Sequence, residues 1–300
     1  MKKASNTKEE TSNKREDKGC PEPGGILLII GGKESKDETE PENKETPHNF
    51  TGLEILKTFV ELTGKKNPVV EVVTTASSVG DESFGDYRKV FTELGLQSIG
   101  HIHHTTRQEV LDDDLEARIN AADGILFSGG DQLLLASLYG GTLFLKHIKE
   151  RYINDRLVLA GTSAGAMAMS TPMIYAGSAD VQELAGEIKL TTGLEFLRDV
   201  CIDTHFVHRG RFIRLAQVIA SNPTSIGLGI EEDTAVIVRN GTDVEVIGSG
   251  TIIIQEGYEI TETNVHDFGT KKPITVRNLR VHILSKGDKY TIQQLNPPHQ

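Results

Sequence analysis

Three hundred residues with 37% hydrophobic content are enough for one large α/β domain with a buried core. A formal net charge of -11 and a pI near 5.4 argue against nucleic-acid binding by overall electrostatics and favour cationic substrates. The two cysteines, Cys20 in a polar tail and Cys201 beside an apolar segment, form neither a disulfide framework nor a metal-ligand spacing, which suits a reducing compartment.

Along the chain, residues 1–23 mix charges of both signs with Ser, Thr and Asn and predict a disordered tail. No apolar segment follows the basic start and no apolar run approaches 18 residues, so a cytoplasmic protein is expected. "ILLII" (26–30) predicts the first strand. The stretch "KESKDETEPENKETPH" (33–48) carries no large apolar side chain and predicts a surface loop beside a site. A helix near 51–63, a strand "VVEVV" (69–73), a helix near 83–94 and a strand "GILFS" (124–128) follow. Helical stretches after "GGDQ" lead to the strand "RLVLA" (156–160) and a helix opened by Ser163. Continuous apolar strands separated by helices imply an α/β fold, a parallel sheet with helices on both faces. From about residue 235, "TAVIVRNGTDVEVIGSGTIIIQEG" and "ITVRNLRVHILSKG" read as antiparallel hairpins, a C-terminal β-rich extension packed on the sheet. Residues 24–300 are expected to form a single catalytic domain.

Chemistry concentrates at "GTSAGAMAMS" (161–170). Gly161-Thr162-Ser163-Ala164-Gly165 matches the G-x-S-x-G elbow, where a sharp strand-to-helix turn projects a nucleophilic hydroxyl and flanking glycines let strand and helix approach. The simpler alternative is that Ser163 only caps the helix that follows. A base is available in "CIDTHFVHRGRFIRLAQVIAS" (201–221), which carries His205 and His208 after a short β-like run; "GIEEDTAVIV" offers Glu231, Glu232 or Asp233 to orient an imidazole. The chain order Ser, His, acid differs from that of the α/β-hydrolases. Arg209, Arg211 and Arg214 form a local positive patch able to hold carboxylates, or else a solvated helix face. With a helix from near 209, Phe212, Leu215, Ala216 and Ile219 predict its buried stripe. In "FSGGDQ" (127–132) the glycine amides could complete an oxyanion hole with the amide of Ala164, and Gln132 could bond substrate; as a turn and helix start the stretch needs no function. "HIHH" (101–104) lacks a second ligand cluster and reads as a polar strand end, and "IIGGK" (29–33) lacks the P-loop spacing, so neither metal nor nucleotide cofactor is expected.

The ordered set "IIGG", "FSGGDQ", "GTSAGA", "DTHFVHRGRFIRL" and "GIEEDTA" resembles the serine-peptidase family of the cyanophycinases and aspartyl dipeptidase over roughly residues 24–285. This resemblance implies a fold like the class I glutamine amidotransferases, with Ser163 as nucleophile, His205 as general base and Glu232 as orienting acid. It implies substrate contacts from Gln132, Asp203, Arg209, Arg211 and Arg214, with Thr204 expected in the same pocket, and the expected oxyanion site is at the amides of Gly130 and Ala164. The implied partner is cyanophycin, a poly-aspartate backbone bearing arginine in isopeptide linkage, cut to β-Asp-Arg dipeptides by a homodimer. Where the family resembles Asp-Gln-His, this chain has Asp203-Thr204-His205, a departure in the expected substrate pocket. The alternatives are a dipeptidase acting on short aspartyl peptides and a catalytically silent binding protein of the same fold.

Overall fold

The computed structural model describes residues 22–37, 53–177 and 182–293. The predicted tail, apart from its last two residues, and the 38–48 part of the polar loop lie outside these, as does Cys20. Within the described residues an eight-stranded sheet runs, edge to edge, through Lys289–Thr291, Asp243–Gly248, Thr234–Arg239, Ile26–Ile30, Val158–Thr162, Gly124–Phe127, Val69–Val73 and Ser98–Ile102. The last five of these are parallel, and Thr234–Arg239 joins antiparallel to Ile26–Ile30.

The apolar runs are continuous because successive side chains feed two different cores. Leu27, Ile29, Val73, Ile125, Phe127 and Leu159 enter one cluster, while Ile26, Leu28, Ile30, Val70, Val72 and Val158 enter the other. Helices cover both faces. Glu54–Leu62 buries Ile55, Leu56 and Phe59 on one face beside Tyr87, Val90 and Phe91 of Gly80–Glu93. Gln132–Tyr139 and Leu143–Asn154 bury Leu135, Phe144 and Ile148 on the other. No helix among the described residues is long and apolar enough to cross a membrane.

A second sheet carries the other half of the site. Its order is Arg280–Ser285, Thr251–Glu256, Ile226–Ile230, Val200–Thr204, Ser170–Thr171 and Leu197–Arg198, with Val200–Thr204 parallel to Ile226–Ile230. The β-rich stretch after residue 234 is thus divided: Thr234–Arg239 and Asp243–Gly248 widen the first sheet, and Thr251–Glu256 and Arg280–Ser285 widen the second. Several boundaries differ from the sequence reading, among them the helix placed near 83–94, which is Gly80–Glu93. The strand placed at 156–160 is Val158–Thr162, since Gly161 and Thr162 pair with Ile29 and Ile30, and the helix placed from near 209 is Phe212–Ser221. Phe212, expected to head that helix's buried stripe, is 41% exposed, because the stripe starts one turn later at Leu215.

Candidate active site

Four parallel strands, two from each sheet, end at one place. Ile26–Ile30 leads to Gly31, Val158–Thr162 to Ser163, Val200–Thr204 to His205 and Ile226–Ile230 to Glu231 and Glu232. Carboxyl ends of parallel strands are where open α/β sheets place ligands, in the crevice outside the strand ends.

Ser163 occupies a turn that ordinary residues avoid, with φ 51° and ψ -112°. Such backbone costs on the order of 1–3 kcal/mol and persists only where the surroundings enforce it. Here the Ser163 N–H donates to the Ile30 carbonyl at 3.1 Å and the Ser163 carbonyl accepts from Met167 at 3.0 Å. The two flanking glycines are steric requirements: a Cβ on Gly161 would lie 2.7 Å from Gly165, and a Cβ on Gly165 would lie 2.2 Å from the Phe127 carbonyl oxygen. The hydroxyl does not cap the helix it precedes. Instead Ser163 Oγ lies 2.9 Å from His205 Nε2, and His205 Nδ1 lies 2.7 Å from Glu232 Oε1. His205 too sits in left-handed backbone, at φ 49°, with its N–H donated to the Gly31 carbonyl at 2.9 Å.

Burial drives the His205 imidazole below its ordinary proton affinity; the Glu232 hydrogen bond opposes this, and nearby Arg209 and Arg211 add to it. The imidazole is therefore neutral near pH 7, free to accept a proton from the hydroxyl. Burial alone would raise Glu232, yet its hydrogen bonds from His205 and Lys33 bring it below the usual carboxylate value. Glu232 uses both oxygens, with Lys33 Nζ 3.1 Å from Oε2. Glu231 accepts from the amides of Val207 and His208 at 2.5 and 3.0 Å. His208, Glu231 and Glu232 offer ligand atoms within 4.8 Å of one another, but both carboxylates already have protein donors.

Ser163 and His205 open on a cleft of about 580 Å³, whose floor includes Gly129 and Thr162 and whose walls include Lys33, Glu34, Lys36, Glu82, Asp86 and Tyr87. A Cβ on Gly129 would stand 3.4 Å from Ser163 Cβ, so the glycine turn lies against the hydroxyl; Gly130 has φ 139° and lies against the Ala76 carbonyl. Ala164 begins the helix after Ser163. Asp131 caps the next helix through the Leu133 N–H at 2.8 Å, while Gln132 Nε2 donates to the Ile174 carbonyl at 2.8 Å.

The remaining expected contacts separate by burial. Asp203 and Thr204 have no accessible surface. Asp203 accepts from Arg211 Nη1 at 3.0 Å, from Arg214 Nε and Nη2 at 2.9 and 2.5 Å, and from the Thr204 N–H at 2.9 Å. Arg214 is buried and also donates to the Gly177 carbonyl at 3.1 Å, so its guanidinium is engaged inside the protein; Arg209 is exposed. The Thr204 hydroxyl is buried with no hydrogen-bond partner. The histidine run is satisfied in two separate networks: His101 and His103 share the Thr74 hydroxyl at 2.7 and 3.0 Å, and His104 meets Tyr139 and Asp113.

Sequence reasoning missed Lys33, Glu34 and Tyr87. Glu34 is buried and accepts from the Tyr87 and Thr162 hydroxyls at 2.5 and 2.6 Å. The available signal was position, since "GGKE" directly follows the first strand and so falls at the same strand ends as the other site residues.

A strained serine bonded to a histidine that is itself bonded to a carboxylate is the arrangement that serine-type hydrolases use, here on a mixed α/β scaffold. The chain belongs to peptidase family S51, whose family model matches residues 42–247, and it is a serine-type peptidase. It is 32% identical over 268 residues to a cyanophycinase of Nostoc sp., covering 89% of this chain and 86% of that one. It is 31% identical over 276 residues to a cyanophycinase of Synechococcus elongatus, covering 92% and 82%. Among solved structures, a peptidase from an acI-B1 Actinobacterium superposes with a TM-score of 0.61 at 20% identity, covering 91% of this chain and 98% of the other, which supports the fold.

Proposed function

We propose that this peptidase hydrolyses the backbone of cyanophycin and releases β-Asp-Arg dipeptides, using Ser163 as nucleophile, His205 as general base and Glu232 as orienting acid. The observation that carries this reading is the continuous line from Ser163 Oγ to His205 Nε2 at 2.9 Å and from His205 Nδ1 to Glu232 Oε1 at 2.7 Å. Ser163 Oγ attacks the scissile carbonyl carbon as His205 Nε2 takes the hydroxyl proton. The amides of Gly130 and Ala164 receive the oxyanion, and His205 returns the proton to the leaving amine. Water, deprotonated by the same imidazole, then attacks the acyl-enzyme and frees Ser163. Glu232 keeps Nδ1 protonated and stabilises the imidazolium. The scaffold fits the class I glutamine amidotransferase type, with serine at the elbow.

Two features favour an arginine-bearing, aspartate-rich substrate. Glu82 and Asp86, one helical turn apart on Gly80–Glu93, line the cleft and suit guanidinium groups. Arg209 and Arg211, beside His205, suit the free carboxylate of an aspartyl unit, with Asp203 and the Thr204 carbonyl fixing Arg211 from below. Gln132 presents its remaining amide oxygen to the substrate. The relatives' name, cyanophycinase, points the same way.

The test gives purified protein insoluble cyanophycin and follows the soluble products by mass spectrometry. Accumulating β-Asp-Arg with little free arginine is the expected result. Free arginine would mean isopeptide cleavage, and hydrolysis confined to short aspartyl peptides would mean a dipeptidase.

A further inference from the structure

The segment Gly31–Glu34, by which the first strand leaves the sheet, contacts His205 and Glu232 directly and the neighbour of Ser163, Thr162. The Gly31 carbonyl accepts the His205 N–H, and the Gly32 carbonyl accepts the N–H of Asp233, the residue after Glu232, both at 2.9 Å. The His205 ring lies against Gly32, where an added Cβ would be 2.5 Å from the ring's Cε1. Glu34 holds the hydroxyl of Thr162, the residue before Ser163, at 2.6 Å. Lys33, in left-handed backbone at φ 47°, sends its ammonium to the outer oxygen of Glu232 at 3.1 Å.

We propose that Lys33 is a positioning residue for the reaction: by holding Glu232 Oε2 it fixes the plane of that carboxylate so that Oε1 faces His205 Nδ1, and it tempers the negative charge that the imidazole feels. This inference rests on the catalytic reading above. The pair adds little to stability, since the Lys33 side chain is 61% exposed and such pairs are weakened by water and salt. Its effect is on geometry and charge at the imidazole. A carboxylate anchored at one oxygen only can rotate about its last torsion, which is broad; a second donor removes that freedom.

The charged groups facing His205 are Glu232 from the loop after Ile226–Ile230, Lys33 beyond it, and Arg209 and Arg211 from its own turn, with Glu231 and His208 alongside Glu232. Only Lys33 is changed in the test. Removing its cation makes the imidazolium more favourable, because the negative charge of Glu232 is then no longer offset by a neighbouring ammonium. The acid limb of reactivity must therefore move to higher pH, by roughly half a unit for a solvated charge several ångströms away.

The experiment measures the rate of Ser163 labelling by a fluorophosphonate probe against pH, for the parent, Lys33→Met and Lys33→Arg, with Ser163→Ala as blank. A probe of this kind reports hydroxyl activation without needing the natural substrate. Lys33→Met should shift the acid limb upward by about half a pH unit, lower the plateau rate several-fold, and lose most of the shift in 1 M salt. Lys33→Arg should restore the parent profile. An unmoved acid limb and plateau in Lys33→Met overturns the inference, as does a rise in KM for peptide with the limb unmoved, which would make Lys33 a substrate contact. Failure of the parent to be labelled at all would instead remove the catalytic reading on which the inference stands.

Discussion

Replacing Asp203 by alanine separates an internal anchor from a substrate contact. The side chain has no accessible surface and accepts four hydrogen bonds, three from Arg211 and Arg214 and one from the Thr204 amide. Its removal leaves the buried Arg214 guanidinium with one carbonyl partner, that of Gly177. Breaking a buried ion pair from one side costs about 3–5 kcal/mol, because the surviving charge stays desolvated. At roughly 2 °C per kcal/mol for a chain of this size, Tm should fall by about 6–10 °C. Arg214→Met should be destabilising too, but the double variant should be less destabilised than the sum of the two, with a coupling of at least about 1 kcal/mol. Denaturant unfolding followed by circular dichroism gives all three values. If Asp203→Ala unfolded within about 1 kcal/mol of the parent while peptide turnover collapsed, the anchor argument would be refuted and Asp203 would have to meet substrate directly.

Ser163→Ala and His205→Ala should each lower turnover by several orders of magnitude, and the double variant should be no slower than either, as measured by product release; additive losses would place the two residues in separate steps. Ser163→Gly should be equally inactive yet more stable than Ser163→Ala by on the order of 1 kcal/mol, because only glycine relaxes at φ 51°, and equal melting curves would contradict the strain argument. Because burial depresses His205 below its ordinary value of about 6.5, kcat/KM should hold through that pH and fall only as acidity passes the lowered value. The same depression means the unfolded chain binds the proton more readily, so this histidine's contribution to stability declines as pH drops below about 6.5; an acid limb above that value would reverse the assignment. Thr204→Val should raise stability by about 1 kcal/mol with activity kept, since it removes a buried hydroxyl without a partner; lost activity would show that the hydroxyl serves the reaction.

Much of the first sheet was legible because its strands are buried on both faces and so read as unbroken apolar runs; Ile26–Ile30, Val69–Val73 and Gly124–Phe127 fall where the sequence puts them, within a residue. The edge strand Ser98–Ile102 was not, because an edge is only half covered and "SIGHI" reflects that. Gly100 is there because a Cβ would meet the carboxylate of Glu71, a group buried against Arg118 and out of reach of any local pattern. The Val158–Thr162 boundary slipped for a related reason: Gly161 and Thr162 look like turn residues, yet the close approach of Gly165 demands a glycine inside the strand itself.

For the site, the elbow was readable because its requirements are local, two glycines and a serine within five residues. The arginine segment was less so. "DTHFVHRGRFIR" shows three cations but not the depth of each, and depth is decided by where the chain turns: residues 206–211 form turns before the Phe212–Ser221 helix begins, which leaves Arg209 outside and carries Arg214 inward to Asp203. Net charge was misleading at this scale, since the patch contains its own buried counter-ion. Lys33 escaped because an isolated lysine after a glycine pair has no signature, and its meaning comes from two sheets meeting at their strand ends. The same convergence accounts for the left-handed backbone at Lys33, Ser163, His205 and Asp233. Each follows within three residues of the end of a parallel strand, where the chain must turn sharply to bring its side chain, or that of its neighbour Glu232, to a common point. Strain spread over four strand ends is what a line of short hydrogen bonds between two sheets requires.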